Sequence, residues 1–128
     1  MAEYVVDSWA WVEYLDGSQK GLKVKDLVES NPSRTHTCSV SLAEVLSKFT
    51  RQGKDPELAW IAIRGLSKIV SVDGELARRA AVLHAKMRER ISDFGLADAF
   101  VMATAEKLDA KIVTGDPHFT NVKGALLL

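Results

Sequence analysis

Cysteine is nearly absent: Cys38 is the single one in 128 residues. No intramolecular disulfide can form, which suits a reducing compartment such as the cytoplasm. Long apolar runs are missing too. Nothing approaches the ~18 residues that a membrane span requires. The opening segment Met1-Ala2-Glu3-Tyr4-Val5-Val6-Asp7 has neither the basic nor the apolar region of a secretion signal. A cytoplasmic protein without membrane contact is therefore expected. Net charge is also lacking, since Lys+Arg and Asp+Glu are both 17. A neutral chain exerts no global pull on nucleic acid, so any such binding has to come from a local patch or from metal ions. There are no repeats and no low-complexity segments. What is present is ordinary: 47% apolar and 27% charged residues. That composition supports one core, and the length fits one domain over residues 1–128.

The apolar pattern predicts alternating strands and helices. Tyr4-Val5-Val6 reads as strand one. A helix follows over about Trp9–Leu15, stopped by Gly17. A second short helix carries Val24, Leu27 and Val28 and is broken at Asn31-Pro32. Thr35–Val40 reads as strand two, and Ser41 starts a helix that Gly53 ends. Asp55-Pro56 opens another helix that runs to about Lys68. Ile69–Val72 reads as strand three. Asp73 caps a helix over about 74–90, with Leu76, Ala80, Leu83 and Met87 at helical spacing. A helix over about 95–108, a strand over Lys111–Thr114 and a last strand near Leu126 complete the chain. This alternation predicts an α/β fold with a parallel sheet covered by helices on both faces. Ligands in such folds sit outside the carboxyl ends of the strands.

Four acids meet that positional test. Asp7 follows strand one directly. Asp116 follows strand four after one glycine. Glu44 lies in the first turn of the helix after strand two. Asp98 lies in about the first turn of the helix before strand four and is followed by Ala99-Phe100-Val101-Met102-Ala103, a face that looks buried. Each has a local alternative. Glu44 fits a capping box with Ser41. Asp7 fits a helix cap. Asp116 in Gly115-Asp116-Pro117 fits a turn. Asp98 fits a first-turn acid facing the helix dipole. Four independent caps would not need to share one edge of a sheet, so the joint arrangement favours a site. Converging carboxylates repel one another and resist burial. A divalent cation relieves both costs, and an all-oxygen donor set favours Mg²⁺ or Mn²⁺, one ion or two, over zinc.

Other acids read as structural. Asp55 and Asp73 look like caps. Asp93 is placed as a cap, with the rim of the site as its alternative. Asp16, Asp26 and Asp109 look solvated. His36, His84 and His118 form no metal cluster by spacing. His118, close to Asp116, could touch substrate, but a surface position is the plainer reading.

These segments resemble the PIN-domain family, in particular its VapC-type toxins. The matching stretches are Val5-Val6-Asp7-Ser8, Ser41-Leu42-Ala43-Glu44-Val45, Leu96-Ala97-Asp98-Ala99-Phe100 and Val113-Thr114-Gly115-Asp116-Pro117-His118-Phe119. Each is weak alone; four in order across the chain are specific. The resemblance implies a three-layer α/β/α sandwich around a parallel sheet. It implies Mg²⁺- or Mn²⁺-dependent cleavage of RNA at a site lined by Asp7, Glu44, Asp98 and Asp116. Ser8 and Thr114 match positions where hydroxyls support that site. Gly115 departs from the asparagine usual there. The resemblance further implies a homodimer and a co-encoded antitoxin.

The expected function is thus a toxin endoribonuclease that hydrolyses RNA with metal-activated water. Arg51 and Lys54, beyond Glu44 in sequence, are the expected substrate contacts. The basic run Arg78, Arg79, Lys86, Arg88 and Arg90 reads as a solvated helix face. The apolar helix after strand one suggests either an interface or two core tryptophans. A phosphotransferase with an aspartyl nucleophile would want an acid two residues after Asp7, where Trp9 stands. The remaining alternative is a non-catalytic RNA-binding or protein-interaction module on the same fold.

Overall fold

A computed structural model describes all of residues 1–128. The elements are β1 (Tyr4–Val6), α1 (Ser8–Asp16), α2 (Gln19–Ser30), β2 (Thr35–Cys38), α3 (Ser39–Arg51), α4 (Pro56–Leu66), β3 (Lys68–Val70), α5 (Gly74–Arg88), α6 (Leu96–Leu108), β4 (Lys111–Thr114) and β5 (Ala125–Leu127). The five strands form one sheet in the order β3-β2-β1-β4-β5. Every neighbouring pair is parallel. The expected α/β/α sandwich is what the chain forms.

Alternation along the central strands builds the layers. Successive side chains of a strand point to opposite faces. Val6 and Val113 enter a core with Trp11, Val24, Val28, Val45, Phe49 and Ile63, which is the face covered by α1 to α4. Val5 and Ile112 enter the opposite core with Val101, Ala105 and Phe119. There α6 covers the sheet, and α5 packs on α6 through Leu76, Ala80, Leu83 and Met87, joined by Phe94 from the connecting segment.

The apolar face of α1 is largely spent inside the molecule. Trp11 is fully buried. Its indole N–H donates to Thr37 Oγ1 at 3.0 Å. Tyr14 packs edge-on against Trp11, and its hydroxyl donates to Glu29 on α2. Trp9 is only half-buried. The two tryptophans therefore differ: one is core and the other lies at a rim.

Strand two is shorter than expected and α3 starts earlier. The last residue pair with β3 is Cys38↔Val70. Beyond it no neighbouring strand is left to take backbone hydrogen bonds, so Ser39 and Val40 join the helix despite the β-branched valine. Cys38 is the N-cap residue. Ser41 is thus the third residue of α3, and its buried Oγ has no partner. The capping box expected for Ser41 and Glu44 does not form. Glu44 sits in the second turn rather than the first. Two smaller differences have the same origin: α4 stops at Leu66, and β3 spans Lys68–Val70 rather than Ile69–Val72.

Helix packing makes one glycine indispensable and leaves another open. A Cβ on Gly21 would stand 2.0 Å from the Glu13 carbonyl oxygen on α1, a backbone atom that cannot give way. A Cβ on Gly65, inside α4, would meet nothing within 4 Å. Gly65→Ala is expected to stabilise by about 0.5–1 kcal/mol through helix propensity. Gly21→Ala is expected to destabilise by roughly 1–3 kcal/mol through overpacking. Urea denaturation of the two variants beside the parent checks both signs.

Candidate active site

The strand order reverses at the centre of the sheet. β1 connects outward to β2 on one side, while β4 lies on its other side. Crevices at such switch points are where open α/β sheets bind ligands. The carboxyl ends of β1 and β4 carry Asp7 and Thr114, held together by Asp7 N–H donating to Val113 O at 3.2 Å.

Asp7 is the most constrained acid. It is 3% exposed. Its Oδ1 accepts from Ala10 N–H at 2.9 Å, capping α1. Its Oδ2 accepts from Thr114 Oγ1 at 2.5 Å. Thr114 Oγ1 in turn accepts from Asp116 N–H at 2.9 Å. Despite these donors, burial pushes the Asp7 carboxyl up to about 7, and the charges of Asp116 and Asp98 add to the rise.

The other acids gather around it. Burial also raises Glu44, against a hydrogen bond from Ser8, and Asp98 and Asp116 raise it further. Asp98 is the third residue of α6, and its Oδ2 accepts from Gly95 N–H at 3.0 Å. Its carboxyl is raised by burial and by Asp116, against that hydrogen bond and His118. Asp116 Oδ1 accepts from His118 N–H at 2.9 Å, closing the turn after β4. The local alternatives for Asp7, Asp98 and Asp116 are therefore real, and the same carboxylates also stand close enough to raise one another. Each spends an oxygen on a backbone N–H, which fixes its position in the cluster.

His118 is the residue that spacing misses. Its Nδ1 lies 3.2 Å from Asp98 Oδ2 and 3.4 Å from Asp116 Oδ1, and its Nε2 lies 3.2 Å from Asp93 Oδ1. Burial lowers the imidazole, but Asp93, Asp116 and Asp98 together leave it raised. The same contact lowers the exposed Asp93. The plain surface reading of His118 is thus corrected, because its side chain is only 27% exposed. Asp93 is corrected as well. Gly95 is the N-cap residue of α6, and Asp93 stands at the rim on His118 instead. The tightest group able to share an ion is Asp98, Asp116 and His118, whose ligand atoms lie within 4.8 Å of one another. Asp7 and Glu44 are not in that group, and the imidazole departs from the all-oxygen set expected. The only hint of it in the sequence is the two-residue step from Asp116.

Arg51 and Lys54 are not part of this cluster. Arg51 is the last residue of α3 and Lys54 lies beyond it, both at the end opposite its first turn. Lys54 Nζ is 3.0 Å from Asp16 Oδ1 and lies over the Phe49 ring. Asp55 and Asp73 cap α4 and α5 as expected. A cavity of about 830 Å³ opens at the opposite edge of the sheet, among Met87, Met102, Ile112 and Val122, and holds none of the four acids. Convergent charge, not cavity size, marks the site.

A family profile for the PIN domain matches residues 4–125, nearly the whole chain. The chain belongs to the PIN domain family. No curated protein sequence is significantly similar to it. Solved structures resemble it in fold at low identity. A toxin–antitoxin complex from Klebsiella pneumoniae matches with TM-score 0.78 and 17% identity over 97% of this chain and 96% of that one. VapC20 of Mycobacterium tuberculosis, described as a toxin that cleaves the sarcin–ricin loop, matches with TM-score 0.75 and 18% identity over 95% and 96%. VapBC2 of Rickettsia felis, bound to a DNA fragment from its promoter, matches with TM-score 0.75 and 15% identity over 98% and 96%. This PIN domain also has no helix long and apolar enough to cross a membrane.

Proposed function

We propose that this PIN domain is a metal-dependent endoribonuclease, the toxin of a toxin–antitoxin pair. The observation that carries the proposal is the convergence of Asp7, Glu44, Asp98 and Asp116 at the switch-point edge, with three of them raised by burial and mutual charge. The donors fit a hard divalent cation such as Mg²⁺ or Mn²⁺. A buried carboxylate near pH 7 with only neutral hydrogen-bond donors needs a cation to hold its charge. Asp7, Glu44 and Asp98 would hold the metal, with Asp116 completing the ring. When bound, one or two such ions supply activated water and neutralise charge building on a phosphodiester.

The protein's own residues fix the geometry. Thr114 and the Ala10 N–H lock both Asp7 oxygens. Ser8 supports Glu44. His118 holds Asp98 Oδ2 toward Asp116. Arg51 lies two helical turns beyond Glu44 on the same face of α3 and is assigned to the RNA backbone. Lys54 is assigned the same role, although it starts from a pair with Asp16. The toxin-complex relatives support a co-encoded antitoxin as partner. A homodimer is the assembly assigned to the free toxin. Exposed Leu58 and Ile61 on α4 and Leu22 on α2 offer apolar surface for such contacts. A cytoplasmic location fits the single buried thiol of Cys38.

The test is cleavage of a labelled RNA panel in Mg²⁺ or Mn²⁺, with EDTA controls and Asp98→Asn in parallel. Cleavage that needs metal and disappears in the variant is expected. Equal cleavage by both proteins would sink the assignment of the site. Cleavage by neither, together with Mn²⁺ binding unchanged in Asp7→Asn, would favour a non-catalytic module.

A further inference from the structure

RNA binding to this chain meets an electrostatic difficulty. The protein is neutral overall, with 17 basic and 17 acidic residues, and four of the acids face the place a phosphate must approach. Attraction has to come from the rim of the site. Two basic residues elsewhere on the surface are already engaged: Lys54 with Asp16 and Arg79 with Glu106.

Trp9 and Lys20 are different. Trp9 lies two residues after Asp7, in the first turn of α1. The tip of its indole fills the space beside Gly115: a Cβ there would stand 2.2 Å from Trp9 Cη2 and 2.4 Å from Cζ3. Gly115 separates Thr114, which donates to Asp7, from Asp116. The indole edge is therefore seated against the backbone that links two of the acids. Its body packs on the main core, which fixes the ring. Unlike fully buried Trp11, Trp9 keeps part of its surface open. The Lys20 ammonium lies over the ring, 5.6 Å from its centroid. Lys20 is exposed and makes no ion pair with any carboxylate.

Resting on the ribonuclease reading above, we propose that Trp9 and Lys20 form a nucleotide subsite beside the acids, in which the indole stacks on an unpaired RNA base and the ammonium meets its phosphate. A rigid aromatic ring with a mobile cation is the usual platform for single-stranded nucleic acid, because every base has a π-face. The lysine stem turns freely, so the ammonium can leave the ring to a base and move to the backbone. The subsite selects single strands over duplex, since a stacked, paired base cannot reach the indole. Trp9 is thus a specificity-determining residue.

The test is a cycle between protein and ligand. Binding of a hexauridylate RNA and of an abasic ribose-phosphate hexamer of equal charge is measured by competition in Mg²⁺. An Asp98→Asn background keeps the RNA intact. Trp9→Leu is expected to weaken the hexauridylate by roughly 5–100-fold and to leave the abasic hexamer within about twofold. Lys20→Gln is expected to weaken both ligands alike and to lower the salt slope by about one. Trp9→Phe, which keeps a ring, is expected to retain most of the preference and covers the case in which Trp9→Leu fails to fold. Equal weakening of both hexamers by Trp9→Leu would mean a purely structural role and overturn the proposal. So would parent protein that binds both hexamers equally. Failure of the ribonuclease reading itself shows separately, as absence of metal-dependent cleavage by the wild type.

Discussion

Asp7→Asn is expected to abolish activity and, at pH 8 without metal, to make the protein more stable. Both results follow from one carboxylate. Its folded-state carboxyl is raised from 3.8 to about 7 by burial. A raised acid contributes stability that is fully present below its unfolded value and lost as pH rises through the folded one. Wild-type protein should therefore lose stability between pH about 4 and 7, while the variant does not. A rise of that size is worth on the order of 4 kcal/mol above pH 7. That is roughly 15 °C in Tm for a chain of this size. Asparagine keeps the hydrogen bonds, because its Oδ1 can cap Ala10 N–H and its amide can face Thr114. Melting curves of both proteins in EDTA from pH 4 to 8 check this. The gap should close at low pH and open toward pH 8. Adding Mn²⁺ should raise the wild-type Tm and leave the variant behind, since a ligand stabilises only the state that binds it. RNA cleavage should fall by more than the 10–100-fold typical of losing an outer partner of a metal ligand. A variant no more stable than wild type at pH 8 would mean that Asp7 is not held as a strained carboxyl.

Thr114→Val is expected to weaken Mn²⁺ binding by roughly 10–100-fold with little change in shape. The hydroxyl joins two acids: it donates to Asp7 Oδ2 and accepts from Asp116 N–H. Valine leaves the Asp7 oxygen without its donor and the Asp116 amide without its acceptor. The lost donor raises the Asp7 carboxyl further, because the Thr114 hydrogen bond lowers it in the parent. Protons then compete better with the metal, so the loss should be largest at neutral pH and shrink toward pH 9. Thr114→Ser should restore most of the affinity. Titration calorimetry at two pH values distinguishes this from general damage, which would lower affinity equally at both.

The sheet is legible in the sequence because its strands carry strong local signals, whereas the four acids stand out only through their joint placement after the strands. Lys111–Thr114 carries three β-branched residues in a row and is stopped by Gly115, and the strand forms at those bounds. Asp55 and Asp73 precede helices with little alternative, and each caps one. Strand two reads too long because Val40 has strand propensity, whereas the length of the neighbouring β3 decides where the ladder ends. His118 reads as a surface residue because its partners Asp93 and Asp98 stand 25 and 20 residues away in sequence. No spacing rule connects them. Trp9 and Gly115 illustrate the same limit. Each is unremarkable in its own segment, and their contact exists only once β1 and β4 are neighbours.

That adjacency has a consequence for how the protein is made. β1 is the first strand, yet the partner that completes the site is β4, and the Thr114–Asp7 bond spans 107 residues. Chains emerge from the ribosome amino end first, and nearby segments can begin to fold before distant ones arrive. No nascent or truncated chain that ends before β4 can assemble the acid ring, however well its first four helices pack. The acid ring is therefore a late feature of folding, absent until residues 111–116 lie beside β1.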